Sequence, residues 1–381
     1  MDLTFSPEEE AFREEARAWL RANVPAKALR SMDTAEGFEE HRAWERTLHS
    51  GGWSAVSWPK EHGGRDASLV EWLLFEEEYH AAGAPGRVNQ NGLFLCGPTL
   101  LEHGTDAQKA RFLPRIASGE DIWCQGWSEP DVGSDLASIA SRAERDGDDW
   151  VLTGQKTWCS RGAFADWMFG IFRSEPGSER HKGLSMILVP LNADGITVRP
   201  IRQLDGETGF AEVFLDDVRV PVENTLGGEG QGWGVAMSTA GFERGLLLRA
   251  PGRFLAAAQR LLDLYKSTKN SGPESLRDDV VRSWMDAEAY RLHAFWTVSR
   301  VTAGATIGAE ASMTKVFWSE MDVHLHETAL QLRGSDAELT SDGPDWIDGF
   351  LFSLAGPIYA GTNEIQRNVI AERVLGLPRS R

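Results

Sequence analysis

WVLTG (150–154), LSMILVPL (184–191), ITVRPI (196–201) and EVFLDDVRV (212–220) are short β-prone runs separated by turns rich in Gly, Pro and Asp. No long helix-period segment lies between them, and such spacing predicts a small antiparallel sandwich or barrel. The Gly-dense GGEGQGWG at 227–234 closes it. On the N-terminal side the pattern is helical. Ser6 is placed as an N-cap, Pro7 at the first helical position and Glu9 three after the cap. Phe12, Ala16, Trp19 and Leu20 then share one face. Similar periodicity runs through 36–50, 70–82 and 108–120. On the C-terminal side, long periodic stretches at 233–265, 279–301, 310–332 and 363–375 predict an antiparallel bundle. The expected fold class is therefore α+β and multidomain: an N-terminal α-helical domain (1–120), a middle antiparallel β-barrel or sandwich (121–229) and a C-terminal four-helix bundle (230–381).

A chain of 381 residues has room for two or three domains. Its 39 Lys plus Arg against 57 Asp plus Glu give a formal charge of −18. This balance opposes a nucleic-acid partner or a coat on anionic membranes, both of which need an excess of positive surface. Cys96, Cys124 and Cys159 are odd in number and widely spaced, so no disulfide framework or metal clip is indicated. The acidic, amphipathic start fits neither a secretory nor a transit signal, and no stretch reaches the length of a membrane span. The expected location is cytoplasmic. Trp (15) far outnumbers Tyr (4), which supplies core filler and flat walls for planar ligands.

Several patterns carry no chemistry. GGEGQGWG lacks the dinucleotide spacing and follows no parallel strand, so it reads as an interdomain turn. His324 and His326 fall on different helix faces, and no metal site is expected. The acidic runs EEEAFREE (8–15) and FEEEYH (75–80) read as solvated helix faces.

Three segments are more specific together than singly. QGWSEPDVGSD (125–135) is an irregular loop with hydroxyls at Ser128 and Ser134. GQKTWCSRGA (154–163) offers Trp158 as a ring cover and Ser160 as a hydrogen-bonding edge. IYAGTNEIQRNVIAERVLGLPR (358–379) delivers Thr362 and Asn363 to a helix N-terminus, where phosphate or ribityl oxygens are readily held. Each one alone is an ordinary loop, strand or cap.

In this order, the three resemble the acyl-CoA dehydrogenase family, and the resemblance covers essentially the whole chain. SEPDVGSD is similar to the family's T-E-P-x-x-G-S-D signature, KTWCS to its K-x-W-I-T segment, and YAGTNEIQR to its G-T-x-E-I-Q-R block. The resemblance implies FAD held outside any Rossmann motif. Gln125, Trp127 and Ser128 would then contact the isoalloxazine, Ser134 the pyrophosphate and the acyl-CoA pantetheine, and Trp158 and Ser160 the ring and its N5, while Thr362 and Glu364 hold the ribityl and phosphate end. It also implies removal of an α-proton by a carboxylate while the β-hydrogen leaves as hydride, with hydrogen bonds on the thioester oxygen.

Many members carry that carboxylate just before the terminal G-T pair, where this chain has Ala360. In the subgroup that includes the isovaleryl- and long-chain-specific enzymes the base lies in an L-E-R setting at the start of a bundle helix, and Glu243 and Arg244 in AGFERGLLLRA (240–250) match its E-R. Glu243 is the expected base, Arg244 a substrate-side neighbour, and Ala360 keeps a backbone donor for the thioester oxygen. The R-x-x-F-G motif is missing, and Q-x-x-G-G-x-G is reduced to QLRGSD, retaining Gln331 and Gly334. Both belong to subunit interfaces, so the expected assembly is a homo-oligomer, dimer or tetramer, or a heterotetramer with a related chain. Electron-transfer flavoprotein is the implied electron acceptor, in fatty-acid or lipid metabolism. The alternatives are an oxygen-using oxidase or flavin monooxygenase of the same fold, and a non-catalytic or co-catalytic partner subunit.

Overall fold

The computed structural model describes residues 4–244, 251–268, 274–339 and 346–379. In chain order the helices are α1 (Pro7–Asn23), α2 (Ala35–Ser50), α3 (Leu69–Ala81), α4 (Gly97–His103), α5 (Asp106–Ser118), α6 (Gly232–Arg244), α7 (Pro251–Ser267), α8 (Arg277–Thr302), α9 (Ala311–Arg333), α10 (Trp346–Ser353) and α11 (Asn363–Val369). The strands are β1 (Trp123–Gly126), β2 (Arg142–Asp146), β3 (Asp149–Ser160), β4 (Trp167–Arg173), β5 (Leu184–Pro190), β6 (Ile196–Ile201), β7 (Phe210–Pro221) and β8 (Thr225–Leu226). The chain packs as two compact units, one of Leu29–Asp66 and Pro85–Glu243, the other of Met1–Ala28, Ala67–Ala84 and Arg244–Arg381.

The first unit is built on one sheet of order β6-β7-β3-β2-β4-β5-β8, with β1 added on β4. Its pairings are antiparallel except β1–β4 and β2–β4, which are parallel. Alternation buries Trp150, Leu152, Met168, Ile187, Val213 and Val218 in one core. Trp123 and Trp167 stack at 5.3 Å, with Phe112 of α5 edge-on to both. Asn89, fully buried, accepts from the Trp123 N–H and donates to the Ile116 and Asp121 carbonyls, which fixes the entry into β1. The glycine-rich stretch after β8 bends through positive φ at Gly227, Gly228 and Gly230, and Gly230 donates to the Ser185 hydroxyl.

The second unit is helical. α1 opens with the capping box read from the sequence: Glu9 N donates to Ser6 Oγ and Ser6 N to the Glu9 carboxylate. Phe254, Leu261, Tyr290, Trp318, Met321 and Leu325 from α7, α8 and α9 form the bundle core.

α3 overturns one expectation. Glu76, Glu77 and Glu78 of FEEEYH are 7–8% exposed, not a solvated face, because α3 is packed against α1, α7 and α8. Burying three adjacent carboxylates is tolerable only with partners. Glu77 accepts from Arg291 Nε (2.5 Å) and Arg13 (3.3 Å), and Glu78 from Arg13 (2.7 Å) and Arg17 (2.7 Å), while Glu76 faces His80 at 3.6 Å. Burial by itself would raise the Glu78 carboxyl; the hydrogen bonds and charges of Arg17 and Arg13 outweigh it and hold the group below the usual carboxylate range. The stabilisation from this depressed value is present above the unfolded carboxylate range and is lost as pH falls through the folded value. Glu78→Gln is expected to cost about 3 kcal/mol near neutral pH, the low end for a buried pair because both arginines stay partly wet. It should also flatten the acid limb of the stability profile, which urea titrations from pH 7 to 3 would show.

Candidate flavin and thioester site

In the first unit the two sequence motifs meet. β1 ends in Gln125 and Gly126; a Cβ at Gly126 would sit 2.2 Å from Met168 Sδ, so any other residue there would displace the Met168 side chain of β4. Trp127 follows, 8% exposed, edge-on to Phe169 at 6.3 Å. Its indole Nε1 is buried and has no hydrogen-bond partner among the described residues. The half-buried Ser128 accepts from Thr157 N at 2.9 Å through its carbonyl, which ties the loop to β3. Across Pro130 the loop closes with reciprocal Glu129 and Val132 backbone bonds, and Ser134 lies exposed beyond it.

Beneath both segments lies an ion pair. Lys156 Nζ, fully buried, donates to Glu129 Oε1 (2.8 Å) and the Ile171 carbonyl (2.7 Å) and stands 5.0 Å from the Phe172 ring. Glu129 also accepts from the N–H groups of Ala140 and Ser141 at 2.7 and 2.9 Å. Burial pushes the Lys156 ammonium down against the pull of Glu129. In Glu129 burial is outweighed by Lys156 and the backbone donors, and the carboxyl lies below its ordinary value. One lysine of KTWCS and one glutamate of SEPDVGSD thus fasten the motifs to each other.

β3 carries a bulge between Lys156 and Cys159. It flips the inward alternation, so Cys159 is buried while Trp158 between them turns out, 60% exposed at φ +58. A left-handed tryptophan costs about 1–2 kcal/mol, which marks an imposed conformation. Ser160 follows, its carbonyl accepting from Asn91 Nδ2 at 3.3 Å, and Arg161, also left-handed at φ +64, pairs with Asp33. Asn91, 5% exposed, immediately precedes a π-helical turn, Gly92–Cys96.

The backbone of Glu243 and Arg244 forms the last turn of α6, while their side chains lie outside the described residues. One turn earlier, Thr239 Oγ1 meets Thr99 Oγ1 at 2.9 Å and Ser238 donates to Glu102 at 2.6 Å, so α6 is locked to α4.

In the second unit, Ala360 adopts φ +57 and Gly361 φ +79. Gln366 Nε2 donates to both carbonyls, at 2.9 and 3.3 Å, and Asn363 N closes the loop on Pro357 O at 2.8 Å. Asn363 is buried and accepts from Lys315 (2.7 Å) and Ser319 (3.1 Å) of α9. Thr362 Oγ1 caps α11 through Ile365 N. The exposed Glu364 is drawn onto its own N–H and the Thr362 hydroxyl, which lowers its carboxyl, so this short helix already caps itself. His326 is buried, with Nδ1 donating to the Asp322 carbonyl at 2.8 Å.

Each motif is matched at the level of whole domains. Models of the acyl-CoA dehydrogenase N-terminal, middle and C-terminal domains match residues 6–120, 124–218 and 230–375. The chain belongs to the acyl-CoA dehydrogenase family. Acyl-CoA dehydrogenase IpdE1 of Mycobacterium tuberculosis (strain ATCC 25618 / H37Rv) is 42% identical over 97% of this chain and 98% of its own. The solved Tcur3481-Tcur3483 steroid ACAD is 30% identical with a TM-score of 0.89, and the ChsE4-ChsE5 complex from Mycobacterium tuberculosis 30% with 0.87; both matches cover 100% of each chain.

Acyl-CoA dehydrogenases are flavoproteins, typically with FAD, and the residues of the first unit fit a flat heteroaromatic ring. Trp158 presents an open indole, Trp127 keeps a buried N–H without a partner among the described residues, and Ser128 and Ser160 stand on segments bound to fixed neighbours. Asn91, Glu129, Lys156, Lys315 and Gln366 were not singled out by sequence, and the buried seat of Asn363 on Lys315 and Ser319 was not foreseen. For Lys156 the signal was present: it falls in phase with Trp150 and Leu152 on the buried side of β3.

Removing one partner of the buried pair leaves the other charged and unmatched. Lys156→Met is expected to cost about 3–5 kcal/mol, whereas Lys156→Met with Glu129→Leu recovers only part of it, because the Ala140 and Ser141 N–H groups lose their acceptor. Chemical denaturation of the single and double variants measures both.

Proposed function

We propose that this chain is an FAD-dependent acyl-CoA dehydrogenase that converts an acyl-CoA thioester to the 2-enoyl-CoA. The observation that carries the reading is the exposed, left-handed Trp158 beside Ser160, fastened by Lys156 and Glu129 to the loop of Trp127 and Ser128. Bound FAD supplies the hydride acceptor. Gln125, Trp127, Ser128, Trp158 and Ser160 hold and cover the flavin ring, Ser134 faces pyrophosphate and pantetheine, and Thr362 and Glu364 contribute at the ribityl end. Glu243 takes the α-proton, with Arg244 beside it. The Ala360 N–H receives the thioester oxygen, a contact that depends on backbone alone and survives the loss of a carboxylate at this position.

The proposed acceptor is electron-transfer flavoprotein. The small Ala360 favours a bulky acyl group, in keeping with the steroid ACAD among the solved relatives. Assembly with a second copy or a related chain belongs to the same reading. It is supported by the exposed apolar side chains of α8 and α9, Trp284, Met285, Leu292, Trp296, Met313 and Phe317.

A base contributes roughly 10²–10⁴-fold to such a step. Glu243→Gln is therefore expected to retain bound yellow flavin but lose its anaerobic bleaching by acyl-CoA, tested with straight, branched, aromatic and steroid thioesters. Bleaching at the wild-type rate would exclude Glu243 as the base. Peroxide release by the wild type would instead favour an oxidase, and a colourless protein a partner subunit.

A further inference from the structure

The turn at Ala360 stands on side chains that none of the three motifs contains. Arg253 of α7 donates from Nη2 to Asp322 Oδ2 of α9 at 2.6 Å, and Asp322 is 1% exposed. The guanidinium lies 5.2 Å from the Phe254 ring and 5.4 Å from Phe352. The other Asp322 oxygen faces His326 Nδ1 at 3.3 Å. The Tyr359 ring stacks on Trp318 at 5.9 Å and meets Phe352, the ring beneath the Arg253 guanidinium, at 6.4 Å, and its side chain acts on that guanidinium as a favourable polar neighbour. Tyr359 is therefore held by an ion pair and two aromatic rings.

Tyr359 immediately precedes Ala360, and the Ala360 N–H belongs to the peptide plane between them. The direction of that N–H is set by ψ at Tyr359 and φ at Ala360. Gln366 pins the far side through the Ala360 and Gly361 carbonyls, and Asn363, seated on Lys315 and Ser319, pins the end of the loop. On the near side the Tyr359 N–H holds to the Ala355 carbonyl at 3.1 Å, and the Tyr359 side chain fixes how that residue turns toward Ala360. No described hydrogen bond uses the Ala360 N–H.

We propose that Arg253, backed by Asp322, is a positioning residue that aims the Ala360 N–H by fixing Tyr359. This role rests on Ala360 as the donor to the thioester oxygen in the dehydrogenase reading. A donor misplaced by about 1 Å forfeits roughly a hundredfold of its effect, so an anchor on the preceding residue is worth a large share of the oxyanion contact. The anchor comes from charged and aromatic side chains of α7, α9 and α10, and touches no reacting atom.

The test uses the purified flavoprotein and acetoacetyl-CoA, whose enolate gives a long-wavelength charge-transfer band beside oxidised flavin. Tyr359→Phe deletes one oxygen and Arg253→Met one charge, while Arg253→Lys keeps the charge. Both Tyr359→Phe and Arg253→Met are expected to lower the enolate fraction at saturating ligand about tenfold. Binding of CoA itself and the melting temperature of Tyr359→Phe stay close to wild type, and Arg253→Lys restores part of the band. An unchanged band in folded variants overturns the positioning role and leaves the dehydrogenase reading standing. Where Arg253→Met does not fold, Tyr359→Phe alone decides. A wild type that forms no band overturns Ala360 as oxyanion donor, and the positioning role with it.

Discussion

The buried ion pair of Lys156 and Glu129 is the constraint on which the side of the first unit that carries Trp127 and Trp158 depends. A lysine with no exposed surface inside a β-sheet is unfavourable unless its charge is answered, and Glu129 answers it at 2.8 Å with two backbone donors completing the carboxylate. The pair joins residues that are distant in sequence. It also sets the register of everything around it: Ser128 O reaches Thr157 N on one side, and the bulge that exposes Trp158 begins at Lys156 on the other. A hydrophobic pair would pack as well, but it would not fix the loop in one position along the strand.

The same device recurs in the second unit with different residues. Arg13, Arg17 and Arg291 neutralise the carboxylates of α3, and Arg253 with Asp322 lies beside Tyr359. In a chain of net charge −18, buried acids matched by arginine are a consistent way to fix helix positions. Left-handed residues sit next to these anchors, at Trp158 and Ala360, and both positions fall in the motifs proposed for the flavin and the thioester. Strain of this kind persists only where the surroundings over-determine the conformation.

The local setting of the candidate site residues was largely legible in the sequence. Trp158 and Ser160 stand at the end of a strand, Ser134 in an exposed loop, and Thr362 at a helix cap, as their neighbouring residues implied. Less legible were the partners. Nothing local distinguishes FEEEYH from a solvated acidic face, because the arginines that bury it lie more than sixty residues before it or two hundred after it in the chain. Asn91 is equally silent, since its value lies in reaching the Ser160 carbonyl across a fold. The sheet shows the same limit: strand-length runs and turns were readable, but the parallel β1–β4 pairing was not, because β1 joins β4 through a connection too long to mark in sequence.

The sequence by itself determined the element types, the order of helical, β and helical segments, the family and the identity of the chemical groups, because periodicity, caps and motif spacing are local properties. Only the tertiary structure decided which charges are buried, which indole is open and which backbone donor has no partner among the described residues. Those properties depend on desolvation and on contacts between distant segments: Trp158 and Trp123 are the same residue type, yet a one-residue bulge leaves the first 60% exposed while stacking against Trp167 seals the second.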